Sequence, residues 1–125
     1  MEISTLKPND RVIEIKHPAT DEPVGIRFNI VSLNDDDMKQ ARRKIINKRL
    51  DFEKRGKNFK ASDVEENELD LVIAAVKSWE WYDATFHNEV PAFNENNIRK
   101  VFEELPWIKD QVAEAVGDDK AFFQV

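Results

Sequence analysis

Residues 69–107 read LDLVIAAVKSWEWYDATFHNEVPAFNENNIRKVFEELPW, and this stretch decides how the rest of the chain is arranged. Of the chain's 12 Phe, Trp and Tyr residues, seven lie between Trp79 and Trp107, and Phe122 and Phe123 follow near the C-terminus. Only Phe28, Phe52 and Phe59 fall elsewhere. Aromatic side chains bury about 150 to 250 Å² each, so the core is expected to form here, with the N-terminal part attached to it. Leu69, Val72, Ile73, Val76 and Trp79 recur at steps of three and four, which predicts one side of an α-helix, and Tyr82 continues the stripe. Trp81 does not, because two residues along a helix is about 200° of rotation. Either the helix unwinds near 78–81 and Trp81 folds inward, or Trp81 stays on the surface for a partner; large aromatics favour the first.

After a loop containing His87 and Pro91, Asn94 reads as an N-cap, with Phe93 and Ile98 spaced as a hydrophobic staple and Glu95 at the positive end of the helix dipole. Ile98, Val101, Phe102 and Leu105 form the apolar side of a short helix. Pro106 forces Leu105 out of helical geometry and suits the first position of another helix. That helix turns Trp107, Ile108, Val112 and Val116 inward and stops at Gly117.

Working outward, 125 residues is one domain, large enough to bury about two-thirds of its extended surface. Charged residues make up 35% and apolar ones 41%, a globular rather than disordered composition. No apolar run approaches the roughly 20 residues of a membrane span, and no secretory leader follows Met1, so a cytoplasmic protein is expected. With no cysteine, disulfides, thiolate metal sites and a cysteine nucleophile are excluded. The net charge of −6 is unevenly spread: from Met38 to Lys60 ten basic residues face two acidic ones, leaving nine basic against 23 acidic residues elsewhere. Such two-sidedness points to nucleic acid, a membrane surface, or basic and acidic faces meeting on another copy or another protein.

Residues 1–10 read as a lead-in with little structure. Ile13 and Ile15 alternate with charged residues over 11–16, and Ile26, Phe28 and Ile30 alternate with Arg27 and Asn29. Separated by the turn-rich HPATDEPVG of 17–25, these predict a β-hairpin that needs covering. Asp35, Asp36 and Asp37 sit where a long helix begins and are assigned to its dipole rather than to a cation. On that helix Met38, Ala41, Ile45 and Phe52, joined by Ile46 and Leu50, form an apolar side, with Arg42, Arg43, Lys48, Arg49 and Arg55 mostly outside it. It ends near Gly56. After a basic linker around Phe59, Ser62 and Glu65 have capping-box spacing, starting the next helix at Asp63. Its acidic outer face is placed to pack antiparallel beside the basic helix, an arrangement that selects a pairing without holding the fold. Phe122 and Phe123 either fold back on the aromatic cluster or form a terminal segment for a partner. The expected fold is therefore α+β: an N-terminal β-hairpin over 1–33, then a mainly α-helical part over 34–125 with four to five helices and an aromatic core.

No catalytic constellation emerges. His17 and His87 lie in loops, three glycines cannot build a phosphate loop, and no HExxH or GxSxG occurs. No cofactor or metal is expected. The basic helix is the best candidate for direct contact, through Arg42, Arg43, Lys48 and Arg49. A pI near 5.0 and the acidic remainder argue against nucleic acid. A membrane-surface helix is set aside because its apolar side is expected to serve the fold. Pairing with the acidic helix or with an acidic protein surface is the reading retained, and a homo-oligomer through basic and acidic faces stays open.

Lys77, Ser78 and Trp79; Val90, Pro91 and Phe93 with Asn94, Glu95, Asn96 and Asn97; then Glu104, Leu105, Pro106 and Trp107 with Gln111, Val112 and a late Phe make a recognisable succession. Together with His17, Pro18, Ala19 and Thr20 ahead of Pro23, Val24 and Gly25, it resembles the tail assembly chaperones of long-tailed bacteriophages and prophages over nearly the whole chain. The resemblance implies a non-enzymatic protein without cofactors in the host bacterial cytoplasm. Such a protein binds the tape measure protein, keeps it soluble, helps tail tube protein subunits assemble on it, and leaves before the virion is complete. Many relatives also have a longer, frameshifted form. Trp81, Tyr82, Phe86, Phe122 and Phe123 are the expected apolar contacts, and Arg42, Arg43, Lys48 and Arg49 the charged ones. The rivals are a virion structural protein of the tail or head completion type and a small nucleic-acid-binding regulator.

Overall fold

The computed structural model describes residues 2–56 and 60–123. The expected hairpin is formed by β1 (Arg11–Lys16) and β2 (Pro23–Ile30), followed by α1 (Lys39–Lys54) and α2 (Ala61–Ala75). A third strand, β3 (Val76–Trp81), comes next, and then α3 (Glu95–Glu104), α4 (Pro106–Gly117) and the short α5 (Asp119–Phe122). The strands form one antiparallel sheet in the order β1-β2-β3. The fold is α+β, and the hairpin is not an appendage: a strand from the helical part completes its sheet.

β3 corrects the helix expected to run through Trp79. Helix α2 stops at Ala75, whose carbonyl accepts the N–H of Val31 at 2.9 Å, and the chain turns into sheet beside β2. Trp79 lies opposite Phe28 and Trp81 opposite Ile26, so both tryptophans point to the same, inner face. Tyr82 is therefore not on a helical stripe. The pairing slips between Asn29 and Ile30, placing Val76 opposite Ile30 but Ser78 opposite Asn29. One residue of β3 is extra, and such a bulge lets Val76 and Trp79 both face the core although they are three apart. A bulged strand thus reproduces a helical step.

The inner sheet face carries Ile15, Ile26, Phe28 and Ile30, all buried. It packs on Val72 and Ile73 of α2, on Ile98, Val101 and Phe102 of α3, and on Ile108, Val112 and Val116 of α4. Phe28 is fully enclosed, stacked on Phe102 at 5.9 Å between ring centroids and edge-on to Trp79 at 5.8 Å. On the outer face Arg27 bridges Glu14 at 2.9 Å and Glu80 at 3.5 Å, one pair on each neighbouring strand. The guanidinium lies over the Tyr82 ring at 4.2 Å, and the Tyr82 hydroxyl donates to Glu14.

Local signals explain most element ends. The Asn94 side chain accepts the Asn97 N–H at 2.8 Å, Pro106 opens α4, and Gly56, two residues past the end of α1, turns the chain with φ 68°. Helix α2 begins two residues before the expected Asp63. Ser62 is not its cap; instead the Asp63 carboxylate reaches back to the Lys60 N–H at 2.9 Å. The expected linker residues Lys57 and Phe59 lie outside the described residues. Residues 2–10 hold one 3-10 turn (Ile3–Thr5) and are tied down where the Asn9 N–H meets the Phe122 carbonyl at 2.8 Å.

One side chain satisfies the last residue of β1 on its outer edge. Pro23, opposite Lys16, has no N–H, and both main-chain groups of Lys16 turn to Gln111 on α4. The Lys16 N–H donates to Gln111 Oε1 and Gln111 Nε2 donates to the Lys16 carbonyl, each at 2.8 Å. The amide acts as a one-residue strand. Replacing Gln111 by Ala is expected to cost about 1 to 3 kcal/mol in urea unfolding, since two part-buried main-chain groups lose their partner. Gln111→Glu, which keeps an acceptor but loses the donor, should fall between.

Candidate functional site

Helix α1 decides where a partner could sit. None of its 16 residues is buried. Ala41, Ile45 and Phe52 are half-buried, while Ile46 and Leu50 are 56% and 49% exposed. The apolar side expected to serve the fold is thus only half used, and the burial anchoring this end falls to Met38, fully enclosed in the 3-10 turn Asp36–Met38 just before the helix. All three carboxylates there are engaged. Asp35 accepts the Asp37 N–H at 2.9 Å, Asp36 pairs with Lys39 at 3.3 Å, and Asp37 binds Lys77 at 2.7 Å.

Between α1 and α3, with α2 as its floor, runs a groove of about 780 Å³. Gln40, Lys44 and Lys48 line the α1 wall at four-residue steps, a row of side chains roughly 6 Å apart. The floor is Ile73 and Ala74 with Asn67, and Ile98 and Arg99 form the far wall. Phe93, 45% exposed, also lines it and meets Trp79 edge-on at 5.8 Å. Ile45 adds apolar surface from α1.

The charges of the groove are not evenly satisfied. Arg99 binds Asp70 at 2.5 Å and Glu95 at 3.6 Å, so the α3 wall neutralises itself. Its hydrogen bond to Asp70 holds the guanidinium above its ordinary pKa despite partial desolvation, with Glu95 and Glu103 adding to the effect. Asp37 is taken by Lys77. Among the described residues, Lys44 and Lys48 have no ion-pair partner, and Glu66 is the one lining carboxylate left unpaired. Asn67 is 7% exposed and its Oδ1 is buried without a hydrogen-bond donor.

No protein-family model, curated protein or solved structure matches the chain.

The expected contact residues scatter. Lys48 lines the groove; Arg43 is exposed, Arg49 pairs with Glu53 at 3.8 Å, and Arg42 donates to the Leu33 carbonyl. The acidic face of α2 pairs with α3, from Asp70 to Arg99 at 2.5 Å. Of the aromatics, Phe122 is 1% exposed and belongs to the core, which removes it as a contact in this fold. Trp81 and Phe86 are half-buried against each other at 6.3 Å, and Phe123 is half-buried. Tyr82 is 43% exposed but serves the Arg27 cluster. Lys44, Asn67 and Phe93 were not singled out as contacts. Lys44 was findable, four residues before Lys48 on one helical row. Asn67, flanked by Glu66 and Glu68, reads as part of an acidic outer face and gives no signal.

Proposed function

We propose that this chain is a non-enzymatic phage tail assembly chaperone. It binds the tape measure protein in the host cytoplasm, keeps it soluble, promotes assembly of tail tube protein around it, and is absent from the mature virion. The observation that supports this reading is α1: a 16-residue helix without one buried side chain, lying beside an open groove and carrying Ile46 and Leu50 bare on its other side. Surface of this kind suits reversible grip on another polypeptide, and exposed apolar residues beside charge are what such binding uses. The residue succession from His17 to Gln111 that resembles the tail chaperones points the same way.

The test is co-expression with the tape measure protein. The chain should raise the soluble fraction of that protein, and Ile46→Asp with Leu50→Asp should abolish the gain while lowering the unfolding midpoint only slightly, since both positions are exposed. A triple Trp81, Phe122 and Phe123 to Ala variant is the wrong tool, because Phe122 is core and truncating it costs about 3 to 5 kcal/mol. No rise in solubility with the intact chain would overturn the reading, as would its recovery by mass spectrometry from purified virions. Recovery there would favour the virion structural alternative.

A further inference from the structure

We infer that the groove between α1 and α3 is a docking site for one amphipathic helix of a partner protein, and that the docked helix carries carboxylates along the flank that meets α1. The identity of the client rests on the chaperone reading; the chemistry of the groove does not. Two observations on different elements lead there.

The walls are two helices with α2 between them, so the space is a gap in a helical layer, and a helix fills such a gap by setting its side chains between those of its neighbours. Apolar surface in the lining comes from the half-buried Ile45, from Ala74 and from the exposed Phe93 ring, above Ile73 and Ile98, which are themselves buried in the core. This is the lining that takes a stripe of apolar residues at helical spacing.

The charge pattern selects the flank. Three of the groove's four lining carboxylates already have basic partners within the chain, at 2.5 to 3.6 Å. Lys44 and Lys48 have none among the described residues, and they stand one helical turn apart. Two carboxylates spaced i, i+4 on an incoming helix would meet both ammonium groups, and apolar burial beside them would partly desolvate each pair. A basic flank would instead bring four like charges together, which is how the groove rejects a wrong partner.

Two labelled peptides of about 18 residues, five helical turns, test this by fluorescence anisotropy. Both carry the same leucine stripe; one has two Glu four apart on its flank and the other has two Lys there. The wild-type chain should bind the Glu peptide about ten-fold more tightly than the Lys peptide. In Lys44→Glu/Lys48→Glu the preference should reverse. Ala74→Trp, which fills the exposed floor, should abolish binding of both peptides, with the unfolding midpoint showing that each variant is folded.

Equal affinities for the two peptides, or a preference that does not reverse, would overturn the proposal. So would binding of the chain to phosphatidylglycerol vesicles in place of the peptides. A wild-type dimer in sedimentation that Lys44→Glu/Lys48→Glu dissociates would assign the groove to a second copy and overturn it too. The outcomes also separate the two readings. If the peptide preference does not reverse while the tape measure protein is kept soluble equally well by wild type and by the charge-reversed chain, the groove assignment fails and the chaperone stands. If the peptide preference reverses while neither form helps the tape measure protein, the chaperone fails and the groove stands.

Discussion

Phe28→Ala should lower the free energy of unfolding by about 3 to 5 kcal/mol, among the largest effects of any single truncation in this chain. The ring is completely enclosed, and it joins two parts of the molecule that are remote in sequence: Phe102 of α3 stacks on one side and Trp79 of β3 meets it edge-on. Truncation therefore removes the transfer term and opens a cavity, and two aromatic contacts of about 0.5 to 1.5 kcal/mol each go with it. A domain of this size commonly has about 5 to 15 kcal/mol in total, so a large share of its stability would be lost. Urea unfolding followed by tryptophan fluorescence measures this directly, because Trp79 reports on the same site. Phe28→Leu should recover more than half of the loss. If the alanine variant unfolds at nearly the wild-type urea concentration, the sheet and α3 do not share the core described here.

The second large effect is at Gly25. It lies in β2 with φ 101°, a region that side-chain-bearing residues rarely enter. Its carbonyl accepts the N–H groups of Tyr82 and Asp83, at 3.0 and 3.2 Å, where the chain leaves β3. A Cβ built on Gly25 would come within 2.6 Å of the Asp83 carbonyl carbon, so the main chain itself would have to move. Gly25→Ala should cost about 2 to 5 kcal/mol, combining backbone strain with overpacking. The damage should concentrate at the β2–β3 pairing. Hydrogen exchange is the sharper readout: amides of 78–83 should lose protection before those of α3 and α4. Uniform loss across the chain would mean that Gly25 does not act through the strand exit.

Much of this architecture was legible in local chemistry. Ile13 and Ile15 alternate with charges, Asn94 caps, and Pro106 both ends one helix and starts the next; each signal acts over three or four residues and each helix or strand formed where it pointed. Phe122 folding back was one of two open readings, and the structure decides it through the Asn9 contact and near-complete burial. What was illegible depends on partners far along the chain. Val76, Trp79 and Tyr82 fit a helical stripe as well as any true helix does, and only the second edge of β2, left open by β1 and with room for an extra residue, makes 76–81 a strand. Likewise, the apolar pattern of α1 was plain, but pattern cannot tell whether neighbours cover it. Arg99 finds Asp70 across 29 positions of sequence, so the self-neutralised wall that leaves Lys44 and Lys48 unmatched could be recognised only once the helices were placed.

The Gln111 clamp has a further consequence for how the chain is made. Lys16 and Gln111 are 95 positions apart, and synthesis proceeds at about 5 to 20 residues per second. Lys16 is therefore synthesised about 5 to 20 s before the amide that binds it. During that interval a nascent strand is open to pairing with its neighbours on the same polysome. Premature termination before α4 should accordingly yield insoluble product, and the yield of native protein should depend on how fast the last third of the message is read.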